Sequence, residues 1–376
     1  MTPAVALVAG RAPAPAELFL GWDHLELWVG NARAFAGFLA AGFGFDVVAY
    51  AGPETGVRGR ASYVLAQGDV RLVVTAALEP GSPVAAHVRA HGDGVRDLAI
   101  TVSDATAAYE AAVARGARGV VPPWSEADGH GTVVRATIAA YGDTRHTFVE
   151  RAAFDGPFAP CFAAEGLPHR PPGQVVGLIG VDHCVANVEK GSLGRWVDFY
   201  RGVLGLEQLV HFDDAQISTE YSALMSTVVW DASKIVLPIN EPAAGRRRSQ
   251  IEEYLDAYRG PGIQHVALAT HDIVATVTSL RDRGIRFLRV PAAYHEDVRR
   301  RFGDLDLPWD RLAELGVLVD RDHEGHLLQV FTETVVDRPT LFFEVIQRVG
   351  SRGFGAGNFK ALFEAIEREQ ARRGNL

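Results

Sequence analysis

Apolar residues along this chain recur in two alternating registers. Short runs of period two, such as "WDHLELWV" from Trp22 and "VDHCVANV" from Val181, predict half-buried strands. Each is followed by a stretch with apolar positions three and four apart, then by a Gly-hydrophobic step and further alternating runs. "GWDHLELWVGNARAFAGFLAAGFGFDVVAY" from Gly21 shares this order with "GVDHCVANVEKGSLGRWVDFYRGVLGLEQLVHF" from Gly180. "RDLAITVSDATAAYEAAVARGARGVVPP" from Arg96 shares another with "QHVALATHDIVATVTSLRDRGIRFLRVP" from Gln264: strand, helix, then a strand closed by proline. Asp104 and Asp272 stand where helix N-caps belong, and Gly116 and Gly284 where these helices end. The pattern predicts an α+β chain of four tandem strand–helix–strands (βαβββ) units, over roughly 20–80, 94–152, 178–242 and 262–348. Phe359, Leu362, Phe363 and Ile366 then predict a C-terminal amphipathic helix over 357–373. The expected domains are a leader (1–20), a first half (21–154), a Pro/Gly-rich connector (155–176) and a second half (177–376).

Composition narrows the function classes. The chain has 376 residues, 48% hydrophobic and 22% charged, with room for two well-cored domains. A net charge of −9 argues against nucleic acid or an anionic membrane as partner. The basic runs "RRRSQ" from Arg246 and "RRRFG" from Arg299 read as solvated faces. Two cysteines, Cys161 and Cys184, imply no disulfide framework and fit a reducing cytoplasm. The Ala/Pro-rich start lacks the make-up of a secretory signal, and no apolar run is long enough to span a bilayer.

Paired βαβββ units closing an open barrel resemble the vicinal-oxygen-chelate superfamily. The resemblance implies two open β-barrel-like domains and a cavity lined by the first and last strands of each unit. The second half supplies His183 and His265 at matching first-strand positions, and "RPTLFFEVIQR" carries Glu344 in an otherwise apolar run. A carboxylate there is costly to bury unless it is paired or bound to metal. Two imidazoles and one carboxylate on one wall match the facial triad of non-haem Fe(II) oxygenases. A lone strand histidine is usually a hydrogen-bonded core residue, so the reading rests on the repeated position and the isolated glutamate together. Cys184 points to the opposite face from His183, and His211, His271, His323 and His326 read as surface groups. The first half offers His24, Asp97 and Thr147 at the corresponding places. Threonine cannot replace a carboxylate ligand, so the first half is expected to be without the metal and His24 to be structural.

The second half resembles one family closely, the 4-hydroxyphenylpyruvate dioxygenases. The matching stretches are "DHCVANV", "EYSALMSTVV", "LPINEPA", "SQIEEYL", "GIQHVALAT", "LLQVFT", "RPTLFFEVIQR" and "GFGAGNFKALFEAIEREQ", covering most of 178–376. The resemblance implies Fe(II) held by His183, His265 and Glu344, and an aromatic 2-oxo acid and O2 as reaction partners in a homo-oligomer. It implies a polar lining of Ser226, Asn240, Gln250, Gln264 and Asn358, with Gln329 beside the keto acid. Pro238, Phe331, Phe342, Phe354 and Phe359 would form the apolar wall. Two-residue spacing puts Pro238 with Asn240, Gln329 with Phe331, and Phe342 with Glu344 on shared faces. The implied reaction gives homogentisate and CO2 by oxidative decarboxylation, ring hydroxylation and side-chain migration.

Three other readings stay open at this point. 4-Hydroxymandelate synthase shares the triad and the substrate, but its pocket generally departs from the Pro238–Ile239–Asn240 kept here. An extradiol catechol dioxygenase would lack the "GFGAGNF" tail. A non-catalytic binding protein of the same fold would not need the triad.

Overall fold

The computed structural model describes residues 13–164, 175–212, 224–243, 245 and 247–374. Most of the expected leader, the middle of the connector and Arg246 of the "RRRSQ" run lie outside these residues. So does the start of "EYSALMSTVV". A short 3-10 turn at Pro15–Leu18 leads straight into the first strand at Phe19, so the first sheet begins inside the expected leader.

Two eight-stranded sheets follow. The first contains β1 (Phe19–Trp28), β2 (Asp46–Ala51), β3 (Arg60–Gln67), β4 (Val70–Ala77), β5 (Gly94–Val102), β6 (Gly119–Asp128), β7 (Gly131–Ala139) and β8 (Arg145–Glu150). The second contains β9 (Leu178–Asn187), β10 (Glu207–Phe212), β11 (Leu224–Trp230), β12 (Val236–Pro242), β13 (Gly262–Thr270), β14 (Leu318–Arg321), β15 (His326–Phe331) and β16 (Phe342–Val349). The spatial orders are β2-β3-β4-β1-β5-β8-β7-β6 and β10-β11-β12-β9-β13-β16-β15-β14, the same topology written twice. In each sheet the two halves meet where unit-opening strands pair antiparallel, β1 with β5 and β9 with β13. The four units run over 19–77, 94–150, 178–242 and 262–349, and each pair forms one sheet that curls into an open half-barrel, as the resemblance implies.

Helices α1 (Ala32–Phe43), α2 (Pro83–His91), α3 (Ala105–Ala114), α4 (Leu193–Phe199), α5 (Gln250–Tyr258) and α6 (Ile273–Asp282) connect these strands. Asp104 and Asp272 cap α3 and α6, accepting from the amides of Ala107 (2.8 Å) and Ala275 (2.9 Å). Gly116 and Gly284 follow these helices with positive φ, the left-handed step that ends a helix without steric cost. α2 and α5 join the first unit of each half to the second and have no separate signal in the repeat.

One expected strand is missing. "RFLRVP" after α6 makes only an isolated bridge, Phe287 to Thr332, although the matching "GVVPP" opens β6. The chain instead turns at Pro291 into α7 (Ala292–Phe302) and α8 (Trp309–Leu315) before reaching β14. Proline supplies no amide donor for a ladder and suits the start of a helix. The tail forms α9 (Phe359–Arg373).

One apolar cluster runs through both halves, from Leu25 and Phe43 to Val266 and Phe343, with the Phe43 and Phe343 rings 5.0 Å apart. Gln67 pins the start of the second half: its Oε1 accepts from the amides of Val176, Gly177 and Leu178 at 2.9–3.2 Å. The described start of the connector is also packed, with Phe158 and Ala159 buried against Ala49, Val64 and Val73.

Replacing an N-cap aspartate by alanine removes a helix-start acceptor, so Asp104→Ala and Asp272→Ala should each cost about 1 kcal/mol. Urea unfolding checks this: the midpoint should fall with an unchanged slope, and unchanged midpoints would show that the caps contribute nothing.

Candidate metal centre and its cavity

Register explains how three distant residues meet. On β13, His265 and Ala267 are two apart and share a face. Ala267 pairs across β9 with His183 and across β16 with Glu344. His183, His265 and Glu344 therefore surround one small residue on one wall of the second half-barrel. All three are buried, and their ligand atoms lie within 4.8 Å of one another.

The hydrogen bonds set which atoms converge. His183 Nδ1 lies 2.7 Å from Asp182 Oδ1, and Arg348 holds Asp182 with two contacts of 2.8 and 2.9 Å. His265 Nδ1 lies 3.2 Å from Gln264 Oε1. With each Nδ1 engaged by an oxygen, each Nε2 faces Glu344 Oε2, at 3.3 Å and 3.4 Å. Two ring nitrogens and a carboxylate oxygen converging in a dry site need a positive charge among them. Burial alone would lower the His183 pKa, but the Glu344 charge and the contacts to Asp182 and Glu344 raise it to about 9. Burial lowers that of His265. Burial would raise the Glu344 pKa, but the two histidines hold it below the usual carboxylate range. A divalent cation suits this donor set, and the Asp182–His183 contact is the outer support that metal-binding imidazoles usually have.

The cavity beside the triad is lined by Ser226, Pro238, Asn240, Gln250, Gln264, Gln329, Phe331, Phe342 and Phe354, all expected from the sequence. Ser226 pairs with Asn240 and Val228 with Pro238 across β11 and β12, which gives that wall a polar and an apolar rung. Strand alternation would turn Gln264 away from its neighbour His265. A register shift between Ile263 and His265 lets both side chains reach the cavity. Phe342 stacks on His265 (4.7 Å, 21°), and Phe354 meets His183 edge-on (5.5 Å). Val185, Leu224, Val228 and Ile346 also line the cavity without having been expected there, as do Leu362 and Phe363, which the sequence marks only as helix positions. Two-residue spacing from His183, Ser226 and Glu344 could have found the four on strands.

Two expected lining residues stand apart. Asn358 is fully buried, but it is not on the cavity wall: its Oδ1 accepts from Tyr294 Oη at 2.5 Å, pinning the turn before α9. The Phe359 side chain lies outside the described residues. The glycines of "GFGAGNF" serve close approach more than hinge motion. Gly355 has φ +71°, and a Cβ there would come within 2.8 Å of the Gln329 amide, so the segment lies directly on that residue.

The first half repeats the support without the triad. Asp23 Oδ1 lies 2.6 Å from His24 Nδ1, and Arg151 holds Asp23 with contacts of 2.6 and 2.7 Å. Phe158 meets His24 edge-on as Phe354 meets His183. The other two positions differ. Asp97 is engaged by Arg145 Nε (3.0 Å) and by the amide and hydroxyl of Thr147, which stands where Glu344 stands in the second half. Cys184 faces the apolar core, and burial raises its thiol pKa.

The profile of the Glyoxalase/Bleomycin resistance protein/Dioxygenase superfamily matches residues 21–149 and 180–330. A 4-hydroxyphenylpyruvate dioxygenase of Yarrowia lipolytica is 42% identical over the full length of both chains. One from Dictyostelium discoideum is 45% identical over 95% of this chain and all of its own. Among solved structures, a triple mutant of 4-hydroxymandelate synthase from Streptomyces coelicolor superposes with a TM-score of 0.83 at 38% identity, over 94% of this chain and 99% of its own. Full-length identity to the first two, together with the shared fold, shows that this chain belongs to the 4-hydroxyphenylpyruvate dioxygenase family, within the glyoxalase and dioxygenase superfamily.

Proposed function

We propose that this chain is an Fe(II)-dependent dioxygenase that converts 4-hydroxyphenylpyruvate and O2 to homogentisate and CO2. The observation that carries the reading is the buried His183–His265–Glu344 triad opening onto a cavity of aromatic walls and amide groups. His183, His265 and Glu344 would hold the iron, which supplies redox chemistry toward O2 and open positions for a 2-oxo acid. The chain's own residues bind and orient the substrate. Phe331 and Phe342, whose rings are 6.3 Å apart and nearly perpendicular, form an aromatic corner beside His265 for a phenyl ring. The amides of Asn240, Gln250 and Gln264 and the Ser226 hydroxyl can each donate to or accept from a phenol or keto oxygen. The unpartnered Gln250 Oε1 is a buried acceptor free for a phenol proton. Gln329, under the Gly355 turn, would lie beside the keto-acid end.

4-Hydroxymandelate synthase remains the rival, because the solved relative of that name shares the fold at 38% identity. The longer curated matches and the Pro238–Asn240 wall favour homogentisate. The discriminating experiment loads the protein anaerobically with Fe(II), adds 4-hydroxyphenylpyruvate and O2, and identifies the product. Homogentisate is expected, and 4-hydroxymandelate as the main product would defeat the reading.

The cavity is about 60 Å³, whereas a benzene-sized guest needs roughly 150 Å³. Substrate entry therefore requires a wall to move, and α9 contributes Leu362 and Phe363 to that wall. α9 acts as a lid that shuts water out while the reaction proceeds. The Arg373 guanidinium fastens its far end to Glu253 on α5 with contacts of 3.1 and 2.7 Å.

His265→Ala and Glu344→Ala should each abolish bound iron and turnover, while His24→Ala retains both. Iron lost from a folded His24→Ala variant would place the site in the wrong half. Arg373→Ala touches no cavity residue, yet it should speed amide exchange along 359–373 several-fold and raise O2 consumption without product. Unchanged exchange and coupling would show that α9 is a fixed wall.

A further inference from the structure

A second group of metal-type ligands lies in the first half, on the side facing α5. α2 carries the sequence "HVRAH", and its i, i+4 spacing puts His87 and His91 on one helix face. Their rings are 4.7 Å apart. Asp143, in the turn between β7 and β8, points one oxygen at both: Oδ2 is 3.0 Å from His87 Nδ1 and 3.4 Å from His91 Nε2. This reproduces the inner geometry of the triad described above, where one Glu344 oxygen faces two imidazole nitrogens at 3.3 and 3.4 Å.

The surroundings fix the protons. His91 Nδ1 lies 2.7 Å from the Tyr258 carbonyl, which can only accept, so His91 carries its proton on Nδ1. Its Nε2 then faces the Asp143 carboxylate, a contact that needs either a second proton on the ring or a metal cation between the two atoms. His87 is 3% exposed, beneath Trp28 and Tyr258, and its Nε2 has no partner. Burial lowers the His87 pKa, and a metal ion at Nδ1 would leave the ring's one proton on the unpartnered Nε2. Contacts from both histidines hold the Asp143 pKa well below the usual range, and the nearby Arg96 charge contributes. Arg96 stands over the Trp28 ring, 4.9 Å from its centroid, and competes with any ion for Asp143.

We propose that His87 Nδ1, His91 Nε2 and an Asp143 oxygen form a second binding site, separate from the catalytic triad, for a borderline divalent metal ion of the Zn(II) type. Two imidazoles and a carboxylate are a donor set that zinc accepts, with a partly exposed Asp143 edge left for water. The Tyr258 carbonyl behind His91 is the outer support such ligands usually have. Because Tyr258 ends α5, the ion would clamp α2 and the β7–β8 turn of the first half against the second half. None of the described cavities is lined both by these three residues and by the triad.

The test disables the catalytic triad with His265→Ala and Glu344→Ala and titrates that chain, metal-free, with Co(II) and Zn(II). One ion per chain should bind, Co(II) should give the visible absorption of a low-coordinate nitrogen–oxygen site, and the melting temperature should rise with added ion. Adding Asp143→Asn or His91→Gln should weaken binding at least roughly 100-fold, since even outer-shell losses at metal sites cost about 10–100-fold. Asp143 is half exposed, so its isosteric variant should fold, and circular dichroism confirms that. Absence of any bound ion in the parent double variant would overturn the proposal and leave an imidazolium–carboxylate bridge. Binding that survives both added substitutions would overturn it too.

Discussion

Glu344 is a carboxylate only 2% exposed, placed in the middle of a sheet between Phe343 and Val345. An unpaired charge there would cost more than most single interactions in a protein can return. The rest of the second half is arranged so that this does not happen. β9 and β13 bring two imidazoles to it, Asp182 and Gln264 engage their far nitrogens, and Arg348 neutralises Asp182. Each layer offsets the charge of the one inside it, and the innermost place belongs to a cation.

The duplicated first half shows which layer is separable. It keeps an aspartate, a histidine, an arginine and a phenylalanine in matching places, Asp23, His24, Arg151 and Phe158, yet Thr147 and the Arg145-bound Asp97 replace the other two corners. An arginine–carboxylate pair satisfies the buried charge inside the protein itself. The outer layer therefore also serves as a structural clasp, since Arg151 reaches back to the Phe158 carbonyl as Arg348 reaches Gly353. Asp97, Thr147 and Arg145 in place of His265, Glu344 and Phe342 leave a salt bridge where the second half has its triad, on a sheet of the same topology.

Much of this was legible in the sequence because a repeat compares the chain with itself. Matched strands identified His183 and His265, and an isolated charge in an apolar run identified Glu344. Aspartate and glycine at fixed offsets identified the ends of α3 and α6. What alternation alone misplaces are the exceptions to period two. Gln264 reaches the cavity through a register shift, and "RFLRVP" yields to the helix that starts after Pro291. The family resemblance implies Asn358 as a lining residue, but its side chain is taken by Tyr294, a contact 64 residues away that no local pattern reveals. The Arg348–Asp182 pair, 166 residues apart, was hidden for the same reason.

The charges around Glu344 call for a metal ion at their centre. Crystals grown anaerobically with Fe(II) and measured at the iron absorption edge would locate it. An anomalous peak is expected between His183, His265 and Glu344, with none beside His24. A fully loaded, active crystal with its iron peak anywhere else, or with Glu344 turned away from it, would show that the triad is not the iron site.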